Sequence, residues 1–162
     1  MRFPGRDTRA AFRKAERMTV DVEIVREATP EMVDAFDRLL PQLSSTAAPL
    51  DREAVDRMVK CEANTLLVAR AGGEIVGTLT LLLFPLPSGL RARVEDVVVD
   101  TAARGRGVAA TLTRHALRLA REAGARTVDL TSRPDRAAAN RLYERLGFDP
   151  RKSTLYRFSP QR

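Results

Sequence analysis

The residues with the most chemical potential lie in one run, Val97-Val98-Val99-Asp100-Thr101-Ala102-Ala103-Arg104-Gly105-Arg106-Gly107-Val108-Ala109-Ala110. An unbroken valine stretch reads as a strand buried on both faces. It runs into a turn rich in arginine and glycine, and that turn opens a helical pattern. The first N–H groups of a helix have no partners inside it, and the macrodipole places partial positive charge there. Glycines at 105 and 107 let an anion reach the main chain with no Cβ in the way. The chemistry this predicts is binding of a phosphate or pyrophosphate group on the amides of 105–110, with Arg104 and Arg106 adding charge. The competing role for the two glycines is close packing of the turn.

One cofactor reading of this loop is a dinucleotide site. Gly105-x-Gly107-x-x-Ala110 matches the glycine spacing of dinucleotide-binding βαβ units, and Asp129, 24 residues after Gly105, lies near where a ribose-binding acid would stand. The context differs from such a unit. There the glycines follow the strand at once, whereas Asp100 to Arg104 intervene here. The chain that remains is also too short for the further βα units of that fold. A small nucleotide-binding oxidoreductase is therefore the weaker reading, and Asp129 reads better as a polar strand-end residue.

The elements that must position the loop can be read from period and punctuation. Val20 to Arg26 alternates apolar and polar, as a half-buried strand does. Thr29-Pro30 opens a helix with threonine at the N-cap; Met32, Val33, Phe36, Leu39 and Leu40 make its apolar stripe, and Pro41 is expected to stop it. A second helix begins at Asp51. Thr65 to Ala71 and Glu74 to Phe84 form a hairpin about Gly72-Gly73. Arg91 to Asp100 is a strand, Arg104 to Ala123 a helix, Arg126 to Thr131 a strand, Pro134 to Leu146 a helix closed by Gly147, and Ser153 to Phe158 a last strand. The strand–helix–strand unit from 91 to 131 makes its two strands parallel, and the hairpin makes the rest antiparallel. The expected fold is α/β: one central mixed β-sheet of 6–7 strands flanked by about four helices. Residues 1–17 are set apart as a flexible basic arm, and 18–162 as a single domain.

Two motifs in this order carry a family resemblance. Arg104, Gly107 and Ala109 make an R-x-x-G-x-A loop that resembles the acyl-CoA pyrophosphate loop of the GNAT (Gcn5-related) N-acetyltransferases. Ala139-Asn140-Arg141-Leu142-Tyr143-Glu144-Arg145-Leu146-Gly147-Phe148 resembles that family's helix end. The order of elements is similar from about Val20 to Phe158, and Val-Glu-Asp-Val-Val-Val at 94–99 looks like the central strand of the glucosamine-phosphate acetyltransferase branch. The resemblance implies a V-shaped opening where strands 91–100 and 126–131 splay. It implies that pantetheine lies along Val97, Val98 and Val99 and that the pyrophosphate sits on the amides of Arg104 to Ala110. It also implies direct transfer of an acetyl group from acetyl-CoA to a primary amine within a ternary complex. Tyr143 stands where the family commonly places the acid that protonates the CoA sulfur, a role a phenol of pKa about 10 can fill. Asn140, a turn earlier, would hydrogen-bond the cofactor. Glu95 and Asp96 are adjacent on the strand and so are expected on opposite faces. One of them would serve as general base, with Glu95 preferred, unless the carboxylates merely pair with Arg91 or Arg93. The Val98 amide would polarise the thioester oxygen.

Composition narrows the remaining possibilities. The chain has 162 residues, 44% hydrophobic and 30% charged, enough for one domain with a buried core. One cysteine, Cys61, excludes an intrachain disulfide; with one histidine, His115, it also leaves no material for a cysteine or multi-histidine metal cluster. No metal is therefore expected. Cys61 is read as a buried or half-buried residue without a covalent role, and His115 as structural. Net charge is +7, but six basic groups (Arg2, Arg6, Arg9, Arg13, Lys14, Arg17) crowd the first seventeen residues. Aromatics are scarce and no nucleic-acid-binding spacing is present, so a nucleic-acid partner is not expected. The chain shows neither a membrane-length apolar run nor an apolar leader, so a cytoplasmic protein without a membrane partner is the expectation. Asp34, Asp37, Asp51, Glu53 and Asp56 make the helical pair acidic, which would suit a cationic acceptor. A small-molecule amine is the default acceptor. The other readings are a protein lysine or N-terminal acetyltransferase, or a non-catalytic acyl-CoA sensor. Homodimers are common in the family, so a homodimer is an expectation by analogy.

Overall fold

Three long strands carry the sheet because their side chains are apolar toward both faces. In the computed structural model, which describes residues 19–160, these are β2 (Asn64–Ala71), β3 (Glu74–Leu86) and β4 (Gly89–Val99). β1 (Val20–Ile24) pairs antiparallel outside β2, and β5 (Val128–Asp129) pairs parallel outside β4, giving one five-stranded mixed sheet in the order β1-β2-β3-β4-β5. Alternation along β2 sends Leu66 and Val68 to one face and Leu67 and Ala69 to the other. The first face is covered by α1 (Pro30–Leu43) through Met32, Ala35, Phe36 and Leu39, and by α2 (Arg52–Lys60) through Val55. The second is covered by α3 (Val108–Glu122) through Val108, Leu112, Ala116 and Ala120. α4 (Ala137–Arg145) follows β5.

Four helices and a mixed sheet agree with the sequence reading, and the differences have physical causes. The Thr29 hydroxyl accepts from the Met32 amide at 3.3 Å, as its N-cap role requires. α1 is not stopped by Pro41, however. It runs on to Leu43, with the proline inside its last turn, and closes where Ser44 turns extended while donating to the Leu40 carbonyl at 2.9 Å. α3 begins at Val108, not 104, because residues Thr101–Ala103 form a 3₁₀ turn first. The strand expected over 126–131 shrinks to two residues, since the chain leaves β4 after Asp129. The strand expected over 153–158 is absent, so the sheet has five strands and not the expected 6–7. Residues 149–160 are exposed throughout and pair with no strand. Cys61 is exposed at the C-cap of α2, not buried as read. The basic arm anticipated over 1–17 lies outside the described residues.

Gly77 sets how closely α3 approaches the sheet. A Cβ there would lie 3.0 Å from the Val98 carbonyl oxygen, 3.2 Å from Val108 Cγ1 and 3.3 Å from Leu112 Cδ1. The first of these is backbone and cannot swing aside. Gly77→Ala should therefore push the first turn of α3 outward and destabilise the protein by about 1–3 kcal/mol, the usual range for overpacking, measurable by urea denaturation.

Candidate functional site

The turn between β4 and α3 is held from several sides. The Asp100 carboxylate accepts from the Ala102 amide at 3.1 Å and meets Arg38 Nε at 3.2 Å. Gln42 Oε1 accepts from both the amide and the hydroxyl of Thr101, each at 2.8 Å. Arg38 also donates to the Ile75 carbonyl at 2.5 Å, which ties α1, β3 and the turn together. Beyond this anchor Gly105 and Gly107 adopt φ of 74° and 80°, a left-handed conformation that side chains disfavour. No protein atom lies within 4 Å of where a Cβ would project from either glycine. Close packing therefore does not explain them, whereas open space over the main chain does fit an anion. Gly107 is the N-cap of α3 and supplies no side-chain cap to its first turn. Arg104 Nε donates to the Val99 carbonyl at 3.2 Å, laying this side chain along the end of β4.

The splay expected between the parallel strands is present. β5 pairs with β4 only at Ala92 and Arg93, so among the described residues no strand covers that edge of β4 from Val94 to Val99. A cleft of about 150 Å³ opens there, lined by Val94, Glu95, Asp96, Val97, Leu130, Thr131, Ser132, Arg136 and Tyr143, with Leu43 at its rim. Tyr143 reaches it from α4, where its ring meets Phe148 edge-to-face at 5.8 Å. Burial pushes the phenol pKa up, against a smaller opposing pull from Arg136. The Ser132 hydroxyl is buried at the cleft without a hydrogen-bond partner. Asn140 lies one turn from Tyr143 and donates to the Arg133 carbonyl at 3.1 Å, which fixes the loop before α4.

The two carboxylates do not simply take opposite faces. The ladder from β3 skips from Thr78↔Val98 to Thr80↔Glu95, so Asp96 and Val97 together face a single residue. Asp96 carries the bulge at φ 49°, a conformation aspartate tolerates better than most residues. As a result Val94 and Val97 both pack on the α3 side, and Glu95 and Asp96 both line the cleft. Glu95 is ion-paired with Arg93, which also reaches the Thr131 hydroxyl at 3.4 Å. Burial pushes the pKa of Asp96 up, and the neighbouring Glu95 charge adds to the effect. A carboxyl whose pKa is raised by folding stabilises the fold below its unfolded value, and that contribution is lost as pH rises through the folded value. The charge of Asp96 therefore costs stability at neutral pH. Asp96→Asn should raise Tm at pH 7, and the gain should vanish near pH 3, below the ordinary aspartate range, in thermal melts at the two pH values.

Comparison with known proteins bears directly on this arrangement. Residues 30–148 match the model of the acetyltransferase (GNAT) family. The chain belongs to the GNAT acetyltransferase family. The GNAT chain is also similar to a rice protein (Oryza sativa subsp. japonica) named "Probable glucosamine 6-phosphate N-acetyltransferase 2", at 33% identity over 138 residues, 78% of this chain and 81% of that one. Among solved structures, an acetyltransferase from Trypanosoma brucei superposes with a TM-score of 0.72 at 24% identity, covering 87% of this chain and 100% of the other. An aminoglycoside N-acetyltransferase in complex with CoA does so with a TM-score of 0.73 at 17% identity, covering 90% and 98%. At these identities the two structures speak for the fold. The protein is an acetyltransferase of the GNAT fold.

Within this GNAT domain the structure brings four of the residues singled out from sequence to the cleft. Glu95, Asp96, Val97 and Tyr143 share the cleft, while Val98 is buried on the α1 side and Val99 leads into the glycine turn. Arg38 and Gln42 were missed. They lie at i and i+4 on α1, beside the apolar stripe, and reach a turn some sixty positions away that no local pattern points to. The acidic character of the helical pair is largely accounted for within the helices. Asp51 caps α2, Glu53 pairs with Arg57 at 2.8 Å and Asp56 pairs with Lys60 at 2.6 Å. Asp129 is exposed on β5, and His115 is partly buried in mid-α3 with its pKa lowered by burial and by Arg118. Among the described residues no group of His, Cys, Asp or Glu is placed to hold a metal ion, and no helix is long and apolar enough to cross a membrane.

Proposed function

We propose that this GNAT protein transfers an acetyl group from acetyl-CoA to the primary amine of a small molecule by direct attack in a ternary complex. The observation that carries the reading is the continuity of three features. The left-handed Gly105 and Gly107 precede a helix start without a side-chain cap, the open edge of β4 leads to it, and the Tyr143 cleft lies at the bulge. Bound acetyl-CoA would supply the thioester whose acetyl group moves to the amine. The amides from Arg104 to Ala110, with Arg104 and Arg106, would hold its pyrophosphate, and Val97 to Val99 would hold the pantetheine arm as an added strand. Asn140 would act by fixing the loop from Ser132 to Arg136 as well as through the cofactor.

The chain's own groups then meet the demands of the chemistry. A C–N bond forms as the C–S bond breaks, so one proton must leave the amine and one must reach the departing thiolate. An amide on the open edge of β4, that of Val97 or Val99, would donate to the carbonyl oxygen as charge develops there, because the Val98 amide is turned toward Thr78 of β3. Tyr143 would give its phenolic proton to the sulfur, and burial keeps that proton in place at neutral pH. Of the two carboxylates Asp96 is the better base, since Glu95 is occupied by Arg93 and a raised pKa brings Asp96 closer to neutrality. A cleft of about 150 Å³ has room for the head of a small amine, which agrees with the likeness to a glucosamine 6-phosphate acetyltransferase. Calorimetric titration with acetyl-CoA tests the reading, with NADH and NADPH as controls, followed by an amine screen scored by release of CoA thiol. Micromolar acetyl-CoA binding and turnover of an amino sugar phosphate or a related amine are expected. Preference for a nicotinamide nucleotide, or no acetyl-CoA binding, would overturn it.

A further inference from the structure

The outer side of α3 carries more positive charge than its own helix balances. Arg114, Arg118 and Arg121 stand at i, i+4 and i+7, so they share one face and spread over about 10 Å of helix. Like charges at these spacings repel. On α2 the same repulsion is settled locally, since Arg57 and Lys60 each pair with a carboxylate one turn earlier. Of the three arginines on α3, Arg118 alone is paired among the described residues, with Glu122 at 3.6 Å. Arg114 and Arg121 have no ion-pair or side-chain hydrogen-bond partner there, and neither has Arg145 at the end of α4. These four arginines line one cavity of about 420 Å³, and the half-buried Leu117 and Leu146 complete its lining. No carboxylate contributes. The cavity shares no residue with the cleft at Tyr143 or with the glycine turn. At 1.5 Å per residue, Arg118 and Arg121 lie about 15–20 Å along α3 from Val108, where that turn opens the helix.

We propose that this cavity is a second anion site, separate from the one for acetyl-CoA, and that it takes a compact organic polyphosphate of the nucleoside triphosphate class. Guanidinium groups suit phosphate because they present two parallel N–H donors to it, and they also stack on flat rings. A row of three on α3 with a fourth from α4 can hold successive phosphates of one chain, while Leu117 and Leu146 give the base or sugar an apolar floor. A volume of about 420 Å³ lies in the usual range for small-molecule sites. A nucleic-acid strand fits less well, because no aromatic side chain lines the cavity for a base to stack on. A protein partner also fits less well, since two half-buried leucines offer little of the apolar centre that a standard interface has. Charge, concavity and size together select a small polyanion, whose binding relieves the repulsion along α3.

The experiment titrates the full chain calorimetrically with ATP at low ionic strength and without magnesium, first alone and then saturated with CoA so that the glycine turn is filled. Saturable one-to-one ATP binding in the micromolar range is expected in both cases, with inorganic tripolyphosphate binding more weakly. In the double variant Arg121→Gln/Arg145→Gln the ATP Kd should rise roughly 10-fold or more, while the acetyl-CoA Kd and Tm stay near their original values. The double variant Arg52→Gln/Arg57→Gln removes the same charge from α2 and should leave ATP binding nearly unchanged. Absence of saturable ATP binding would overturn the proposal. Equal losses in the two double variants would also overturn it, as general attraction to a basic chain. ATP binding abolished by CoA, or a raised acetyl-CoA Kd in Arg121→Gln/Arg145→Gln, would overturn it by giving the anion or the arginines to the cofactor site. Tighter binding of a single-stranded RNA dodecamer than of ATP would overturn it in favour of a nucleic-acid surface.

Discussion

Replacing Tyr143 with phenylalanine is expected to lower kcat by about 10²–10⁴-fold, the usual contribution of a positioned general acid, while the acetyl-CoA Kd and Tm stay near their original values. The expectation follows from what the substitution removes and what it keeps. Phenylalanine retains the ring and hence the edge-to-face contact with Phe148 at 5.8 Å, so the end of α4 stays packed. Only the hydroxyl goes, from a cleft shared with Asp96 and the bulge of β4. The pH profile supplies an independent check. Burial raises the phenol pKa, so the alkaline limb of kcat should fall at higher pH than an ordinary tyrosine would give, and in Tyr143→Phe that limb should disappear. An unchanged kcat in Tyr143→Phe would mean that water or another group protonates the thiolate. Asp96→Asn complements this test. If Asp96 takes the proton of the amine, the same variant that gains Tm at neutral pH loses turnover, a trade between stability and activity common at catalytic sites.

How much of this was legible in the sequence depended on whether the signal was local. The strand, glycine turn and helix start from Val97 to Ala110 were readable because their requirements lie within consecutive residues: a buried valine strand, two glycines and the start of an amphipathic helix. The covered sheet was readable for the same reason, since alternation in β2 and the helical stripe in α3 each report a face directly. Glu95 and Asp96 were misread because alternation holds only while the ladder keeps register, and nothing in Val94 to Val99 announces the extra residue that Asp96 absorbs. Arg38 and Gln42 reach the turn at Asp100 and Thr101 across sixty or so positions of chain, a pairing that period and composition do not encode. The segment after α4 is the opposite case. Its strand character was legible, but pairing is a long-range outcome that composition does not fix, and residues 149–160 stay exposed and unpaired.

The second large effect is expected at Gly107. In Gly107→Val the acetyl-CoA Kd should rise roughly 10-fold to 100-fold and kcat/KM should fall in proportion, whereas kcat at saturating acetyl-CoA should change little. Gly107 holds φ at 80° as the residue from which α3 starts, and a β-branched side chain in that conformation costs of order 1–3 kcal/mol. The chain can relieve the strain by rotating the turn, which moves the amides of Val108 to Ala110 away from the direction in which they converge. No neighbouring atom within 4 Å would be displaced by the new Cβ, so the core beneath α3 should stay intact. Gly107→Asn separates the two contributions, because asparagine accepts the left-handed conformation far better than valine does. It should leave Tm close to that of the original protein. If an anion does occupy the open space over Gly107, the asparagine side chain should still weaken acetyl-CoA binding by crowding it. Loss of affinity in both variants, with loss of Tm confined to valine, would assign the pyrophosphate to this loop. A valine variant that loses Tm but binds acetyl-CoA as before, together with an asparagine variant that is silent, would reduce both glycines to turn formers and move the pyrophosphate elsewhere on the protein.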